Sequence, residues 1–267
     1  MNRAQVRQNV ARNVEGRNFV VGTITSMNVN NPRCDSLAYF PNDNFNDSEF
    51  FVYAGTAIGQ SRRVSDFLQL NGEVVPLSAF APNAVAGDSF EIHPHFGWTV
   101  EQFNAAIDMA HYAVEDIYLL DKVDESLTMI VDTYEYTIPA GFRYLSKVLY
   151  KPIGATYFTE ISVLEWRVIP GATKKLWLDR IYDGATLRLV GQGQATLPAN
   201  DAATVQLPER YVVAKATALV LAMQPGGEIS DARERMQWAA WWEQQADKEM
   251  VRMRTAVKPN SRIVESN

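Results

Sequence analysis

The stretch Leu207–Arg235 reads LPERYVVAKATALVLAMQPGGEISDARER and predicts two helices in succession. Pro208 suits the first turn of a helix, where a missing backbone N–H costs nothing. Apolar residues then recur on one face, namely Val212, Val213, Ala216, Leu219, Val220 and Met223. The run Pro225-Gly226-Gly227 ends this helix, and Ser230 caps a second helix that extends to about Met253.

Two further helices are predicted upstream of this hairpin. Residues 3–15 place apolar side chains at helical spacing, with the arginines on other faces. Residues 99–119 begin at Thr99, a good N-cap, and carry an apolar stripe from Val100 to Ile117. Each stripe has to be buried, and the other helices are the available partners, so a helical bundle is the simplest assembly.

Two segments between these helices have the composition of β structure. Residues 18–95 contain several β-branched and aromatic runs, and Asn71-Gly72 predicts a type I′ hairpin over residues 67–77. Residues 127–195 contain TYEYTIP, LEWRVI, KLWLDRI and ATLRLVGQG, each of which is typical of a strand.

The predicted fold is therefore α+β: a helical bundle of the N-terminal helix, the central helix and the C-terminal helical hairpin, with two inserted β-rich units. The expected divisions are a bundle of residues 1–17, 98–121 and 207–253, a β-rich insertion of residues 18–97, a second β-rich unit of residues 122–206, and an extended C-terminal tail of residues 254–267.

Composition narrows the function. The chain has 267 residues and a net charge of −6, and a negative chain does not seek nucleic acid by bulk electrostatics. Its longest apolar run is far below the roughly 18 residues of a membrane span, which favours a soluble protein without a secretory signal. A single cysteine, Cys34, excludes an intramolecular disulfide.

The search for chemistry yields weak signals. His93 and His95 have the spacing of metal ligands on a strand, but Pro94 marks a strand end, and ordinary surface histidines are the better interpretation. The sequence GQGQ at 191–194 lacks the continuation of a phosphate-binding loop. We therefore predict no enzyme, no cofactor and no metal.

Trp238, Trp241 and Trp242 are neighbours on one face of the last predicted helix. Two interpretations stay open for them. One is packing against a β segment of the same chain, and the other is a subunit contact, since aromatic residues are favoured at interface cores.

Several stretches together resemble the head-to-tail adaptor, or connector, proteins of tailed bacteriophages. They are FFVYAGTAIGQSRRVSDF, AGDSFEI followed by a helix, YEYTIPAGFRYLSKVLY, GATLRLVGQG, and LPERYVVAKATALVLA with a glutamate- and arginine-rich last helix. The resemblance covers the chain from the first helix to about Met253, and the LPERYV helix entry and the paired terminal helices carry it most.

The resemblance implies a virion structural protein at the neck, assembled in the host cytoplasm, that forms a ring, commonly a dodecamer, under the portal protein. Such a ring also binds a tail or tail-terminator protein and lets genomic DNA pass through its channel without sequence-specific binding. The family tends to reach the portal with its C-terminal end, which here supplies Arg254, Lys258, Arg262, Ile263 and Val264. The nine carboxylates between Glu101 and Glu135 are candidates for an acidic channel wall.

Two alternatives remain. A tail-completion or terminator ring would stack on tail-tube subunits and ignore the portal. A carbohydrate-binding β module of a phage tail would instead use the β units and exposed tryptophans to bind glycans.

Overall fold

The computed structural model describes residues 1–95, 97–115, 117–171, 173–223, 232–255, 257–258 and 261–264. Within these ranges the helices are α1 (Arg3–Glu15), α2 (Val100–Tyr112), α3 (Glu209–Ala222) and α4 (Ala232–Met253). The strands are β1 (Val20–Thr23), β2 (Ser26–Asn28), β3 (Asn31–Arg33), β4 (Glu49–Ala54), β5 (Ser61–Leu68), β6 (Glu73–Pro76), β7 (Ser89–His93), β8 (Leu119–Asp124), β9 (Glu135–Thr137), β10 (Tyr144–Lys151), β11 (Thr159–Glu160), β12 (Trp166–Ile169), β13 (Lys175–Leu178), β14 (Thr186–Gln194) and β15 (Arg262–Ile263).

The prediction of a helical bundle with inserted β units is wrong. The fold is β-rich, with fifteen strands in three antiparallel sheets and four helices in the described ranges. The helices are real, but the strands around them bury most of the apolar side chains and form their own cores. Amphipathic helices need an apolar surface to cover, and a sheet supplies one as well as another helix does.

The chain divides into two compact units. The first unit is Met1–Ala113 with Thr196–Arg252, and the second is Val114–Ala195 with Met253–Asn267. The first unit thus combines two segments that are distant in sequence, and residues 253–267 belong to the second unit. No helix in the described part of the chain is long and apolar enough to cross a membrane.

The seven-stranded sheet of the first unit has the order β1-β7-β4-β5-β6-β3-β2. Successive side chains of each strand point to opposite faces of the sheet. On one face, Phe50, Val52, Phe90 and Ile92 lie in one apolar core. Phe50 and Phe90 stack there with their ring centroids 4.6 Å apart. Burial of these aromatic side chains stabilises the sheet.

The hairpin predicted around Asn71-Gly72 is confirmed, but its turn differs from the prediction. β5 and β6 pair with Leu68 opposite Glu73, and a 3₁₀ turn of Gln69–Asn71 joins them. Only Gly72 takes the left-handed conformation, at φ 54° and ψ 37°. A side chain there would also collide with the Cys34 carbonyl oxygen, so this position needs glycine for two reasons.

Helices α1, α2 and α3 pack against one another in the first unit. α1 begins as predicted, with Asn2 and Gln5 forming a capping box. The Tyr211 hydroxyl on α3 donates a hydrogen bond of 3.2 Å to the carbonyl oxygen of Ala110 on α2. The predicted stop at Pro225-Gly226-Gly227 and the predicted cap Ser230 lie outside the described residues.

α2 is shorter than the predicted helix of residues 99–119. Thr99 is its N-cap, as predicted, but the helix ends at Tyr112 and β8 begins at Leu119. Val114 keeps the helical spacing and is buried, which is why the pattern overran the helix end. Pairing of β8 with β14 decides the conformation of the residues that follow.

The second unit contains two sheets. Four strands follow the order β11-β10-β14-β8, with β15 also paired to β10, and a three-stranded sheet has the order β12-β13-β9. The four strand-like runs predicted between residues 127 and 195 correspond to β9, β12, β13 and β14. The buried side chains of the second unit form one core that includes Trp166, Phe142 and Leu189.

Candidate functional site

Helix α4 carries an aromatic surface, which we define as Trp238, Trp241 and Trp242. Of the helix's 22 residues only Ala239 and Ala246 are buried. Trp238 and Trp241 are 53% and 46% exposed. The three indoles contact each other edge to face, with centroid distances of 6.2 Å from Trp238 to Trp241 and 4.8 Å from Trp241 to Trp242.

The aromatic surface borders a groove of about 430 Å³ between α1, α3 and α4. Trp242 and Val213 supply apolar wall, while Arg12, Arg210 and Glu249 add charged groups. Lys215 on α3 forms an ion pair with Glu243 on α4 and holds the helix at this side of the groove.

Further apolar side chains on α4 are exposed. Met236 is 51% exposed and Val251 is 77% exposed. Exposed indoles that contact one another on one helix are characteristic of a surface that binds a macromolecule. The arrangement therefore offers contact area for a partner.

The C-terminal residues proposed from the resemblance to contact a portal lie in the second unit. β15 extends β10, with Ile263 opposite Tyr144 and Arg262 opposite Leu145. Val264 is 5% exposed and belongs to the core, whereas Ile263 is 61% exposed.

The basic residues of this segment differ in their contacts. The Arg262 guanidinium lies 4.5 Å from the Trp166 ring and donates to the Val163 carbonyl oxygen at 2.6 Å. The Lys258 ammonium pairs with Asp121 at 2.7 Å. Arg254 is exposed. Part of the segment predicted as an extended tail is thus a strand and core component of the second unit.

We expect Val264→Ala to lower the free energy of unfolding of the second unit by about 2 kcal/mol, because it removes two buried methyl groups. Ile263→Ala is the matched control, since it truncates the exposed neighbour, and it should change stability by less than about 0.5 kcal/mol. Differential scanning calorimetry of both variants measures the difference. Equal effects would show that β15 does not anchor the segment.

The acidic stretch between Glu101 and Glu135 is partly neutralised by local cations. Its ion pairs are Asp108 with Arg3, Asp121 with Lys258, Glu125 with Arg188 and Glu135 with Lys175. The local field of these residues is therefore weaker than their number in the sequence indicates.

A buried charged network lies between the seven-stranded sheet and α1. The Arg7 guanidinium binds Glu91 on β7, with 2.8 Å from Nε to Oε2, and Asp201, with 2.6 Å from Nη1 to Oδ1. His93 lies between two carboxylates, 3.1 Å from Glu15 through Nδ1 and 3.3 Å from Glu91 through Nε2. The side chains of Arg7, Glu91 and His93 are completely buried.

The network changes the protonation of its members. Burial alone would lower the pKa of His93, but hydrogen bonds and charges from Glu15 and Glu91 outweigh it and raise that pKa to about 9. Burial would raise the pKa of Glu91, but His93 and Arg7 outweigh it and lower the pKa. Burial dominates at Glu15 and raises its pKa against the opposing effect of His93.

The expectation that His93 is a surface histidine is wrong, because the second face of β7 is covered by helices instead of water. Its ring lies 5.1 Å from that of Phe103 on α2, measured between centroids. His95, beyond the strand end at Pro94, is exposed as predicted. Within the described ranges no group of three His, Cys, Asp or Glu side chains has the arrangement to hold a metal ion.

Sequence reasoning missed Arg7 as a member of this network. Arg7 was placed on a polar face of the first helix, yet it lies three residues after Ala4 and three before Val10, both of which are buried. A charged residue within an apolar stripe indicates a buried ionic partner, because an unpaired buried charge is too costly. The position of Arg7 between Ala4 and Val10 is therefore the sequence feature that indicates the buried network.

No protein-family model matches the chain, and no curated protein matches it. Among solved structures, the chain is weakly similar to the regulatory domain of Toxoplasma gondii PKA with cAMP, at 10% identity over 70% of this chain and 88% of that chain. The TM-score of 0.15 is too low to carry any statement about fold or ligand.

Proposed function

We propose that the protein is a virion structural subunit that assembles into a ring and joins the portal to the tail of a tailed bacteriophage. Two observations support the proposal. The sequence stretches that resemble connector proteins support the portal and tail as partners. The aromatic surface of α4 supports self-assembly, and it is the structural observation on which the proposal rests.

The physical argument for assembly concerns the α4 surface. Trp238 and Trp241 expose about half of their surface to water, although large aromatic side chains are the groups that gain most from burial. Aromatic anchors at the centre of an interface supply most of its binding free energy. A closed ring requires two different patches on each subunit, so the α4 aromatic surface would contact another face of the neighbouring copy.

The other partners follow from the resemblance. The portal would be contacted by the C-terminal end, where Arg254 and Ile263 are the exposed members of the proposed set. The ring would lie at the neck of the virion and let DNA pass without sequence-specific binding, as a shape-based conduit with no catalytic role.

The ring is tested by a double variant, Trp238→Ser with Trp241→Ser. We expect the wild-type protein mixed with its portal to form rings in electron micrographs and the double variant to form at least about tenfold fewer, since interface aromatic residues each contribute about 2 kcal/mol or more. Tyr39→Ser, which truncates a 90% exposed tyrosine elsewhere in the first unit, is the control and should assemble normally.

Three outcomes separate the alternatives. Rings that form equally well in the double variant would contradict the assignment of the α4 surface. Rings that stack on tail-tube subunits but not on the portal would replace the adaptor with a tail-completion or terminator ring. A wild-type protein that stays monomeric with either partner would overturn the proposal.

A further inference from the structure

A second cavity in the first unit is unrelated to the α4 surface. We call it the asparagine cleft and define it by Arg17, Asn18, Phe40, Asn44, Asn46 and Asp47. It has a volume of about 490 Å³, which lies in the size range of small-molecule sites. Its walls come from the segment after α1, the loop before β4 and the segment after β7.

The loop that forms one wall is held rigidly. The backbone N–H groups of Asp43 and Asp47 donate to the carbonyl oxygens of Phe67 and Val64, at 3.1 Å and 2.8 Å. Below the loop, the buried ring of Phe45 packs edge to face on Phe67, with centroids 4.9 Å apart. Binding at this wall therefore needs little ordering of the chain, which favours a pre-formed site.

The backbone of the same loop is unusual. Asp43 and Asp47 have φ values of 63° and 64°, in the left-handed region of the backbone that residues other than glycine adopt uncommonly. Conformations of this kind cost free energy and are found disproportionately at binding sites. Here they direct the loop so that Asn44 and Asn46 lie on the cleft wall.

The chemistry of the wall favours a polyhydroxylated ligand. Three asparagine amides supply both donors and acceptors, and the half-buried ring of Phe40 offers an apolar face. The Asn46 amide nitrogen donates to Asp43 at 2.9 Å, while its buried Oδ1 accepts no hydrogen bond from the described residues.

The charges of the wall add a preference. Asp47 is paired with Arg63 at 2.6 Å, so its charge is already balanced. Arg17 is exposed, and its guanidinium forms no ion pair or side-chain hydrogen bond with the described residues. A guanidinium without a counterion is suited to a carboxylate, which it binds through two parallel hydrogen bonds.

We propose that the asparagine cleft binds a saccharide that carries one carboxylate, such as a uronic acid. The amides contact the hydroxyl groups, Phe40 contacts the C–H face of the ring, and Arg17 contacts the carboxylate. This inference does not depend on ring assembly, because every residue of the cleft belongs to the first unit of a single chain.

NMR titration of the full chain with glucuronate and with methyl glucoside tests the proposal. We expect glucuronate to bind at least about tenfold more tightly, which corresponds to one good charge-assisted contact. Arg17→Gln should reduce glucuronate binding to the level of the neutral sugar, and Asn44→Ala should weaken both about tenfold. Arg167→Gln, which removes the same charge from an exposed position in the second unit, should change neither.

The outcomes are distinguishable from those of the ring test. The side chains of Arg17 and Asn44 are both exposed, so the Arg17→Gln and Asn44→Ala variants should unfold at the wild-type temperature. Absence of binding by the wild-type protein, equal affinity for the two sugars, or binding that survives both substitutions would each overturn the proposal. A second titration with a soluble acidic polysaccharide separates a free sugar from a polymer as the source of the ligand.

Discussion

Replacing Arg7 with methionine is expected to lower the free energy of unfolding of the first unit by about 3–5 kcal/mol. The guanidinium donates to both carboxylate oxygens of Glu91 and to both of Asp201, at distances of 2.6–3.1 Å. Methionine fills a similar volume but leaves Asp201 without its cation and Glu91 with His93 as its remaining charged partner. A buried charge that loses its partner keeps the cost of leaving water and loses the attraction that offset it.

Urea-induced unfolding measures this effect, and Arg63→Met is the matched control. Arg63 pairs with Asp47 at a similar distance, 2.6 Å, but both side chains are about half exposed. Water screens that pair, so its loss should cost no more than about 1 kcal/mol. If Arg7→Met unfolds at the same urea concentration as Arg63→Met, the network does not stabilise the first unit.

Several elements of this fold are predictable from short stretches of sequence. Helical periodicity located α1, which buries its apolar residues at helical spacing. The same periodicity located the end of α4 at Met253, although only Ala239 and Ala246 of that helix are buried. Asn71-Gly72 located the hairpin, because only glycine takes the required backbone conformation without strain. These signals reside in a few neighbouring residues.

The layer architecture depends on contacts that local pattern does not contain. β7 alternates as expected, yet the face that carries Glu91 and His93 is covered by helices and not by water. Whether a helix covers another helix or a sheet is decided by residues far apart in the chain, such as Arg7 and Glu91. The helical bundle was predicted wrongly for that reason.

The α4 aromatic surface and the asparagine cleft differ in how far the sequence alone predicts them. The three tryptophans of α4 could be placed on one face from their spacing alone, and their exposure then distinguishes a contact surface from core packing. The asparagine cleft could not be found in this way, because Arg17 and Asn44 are separated by three strands and meet only in the folded unit.

Protonation of His93 is expected to make the stability of the first unit fall as the pH rises. The pKa of His93 is raised from 6.5 to about 9, so the folded state binds a proton that the unfolded state has released. The stabilisation is complete below pH 6.5 and is lost as the pH rises through about 9, a difference of roughly 3 kcal/mol.

The charged groups that face His93 decide which variant tests this. Glu15 and Glu91 both contact the ring, and Arg7 keeps Glu91 ionised. If His93 alone were replaced, Glu15 would lose its cation and its already raised pKa would rise further. The variant would then keep a carboxyl group with a raised pKa in the network, so Glu15 and His93 both have to be made neutral.

Glu15→Gln combined with His93→Gln therefore gives the clean comparison, since the amides keep hydrogen-bonding capacity without titrating. Urea unfolding from about pH 6 to about pH 9.5 should show the wild type losing roughly 3 kcal/mol relative to the double variant. His111→Gln is the control. Burial lowers the pKa of His111, so protonation of this residue affects stability at acidic pH and not in the range tested. A double variant that follows the wild-type curve would mean that His93 does not carry the buried proton.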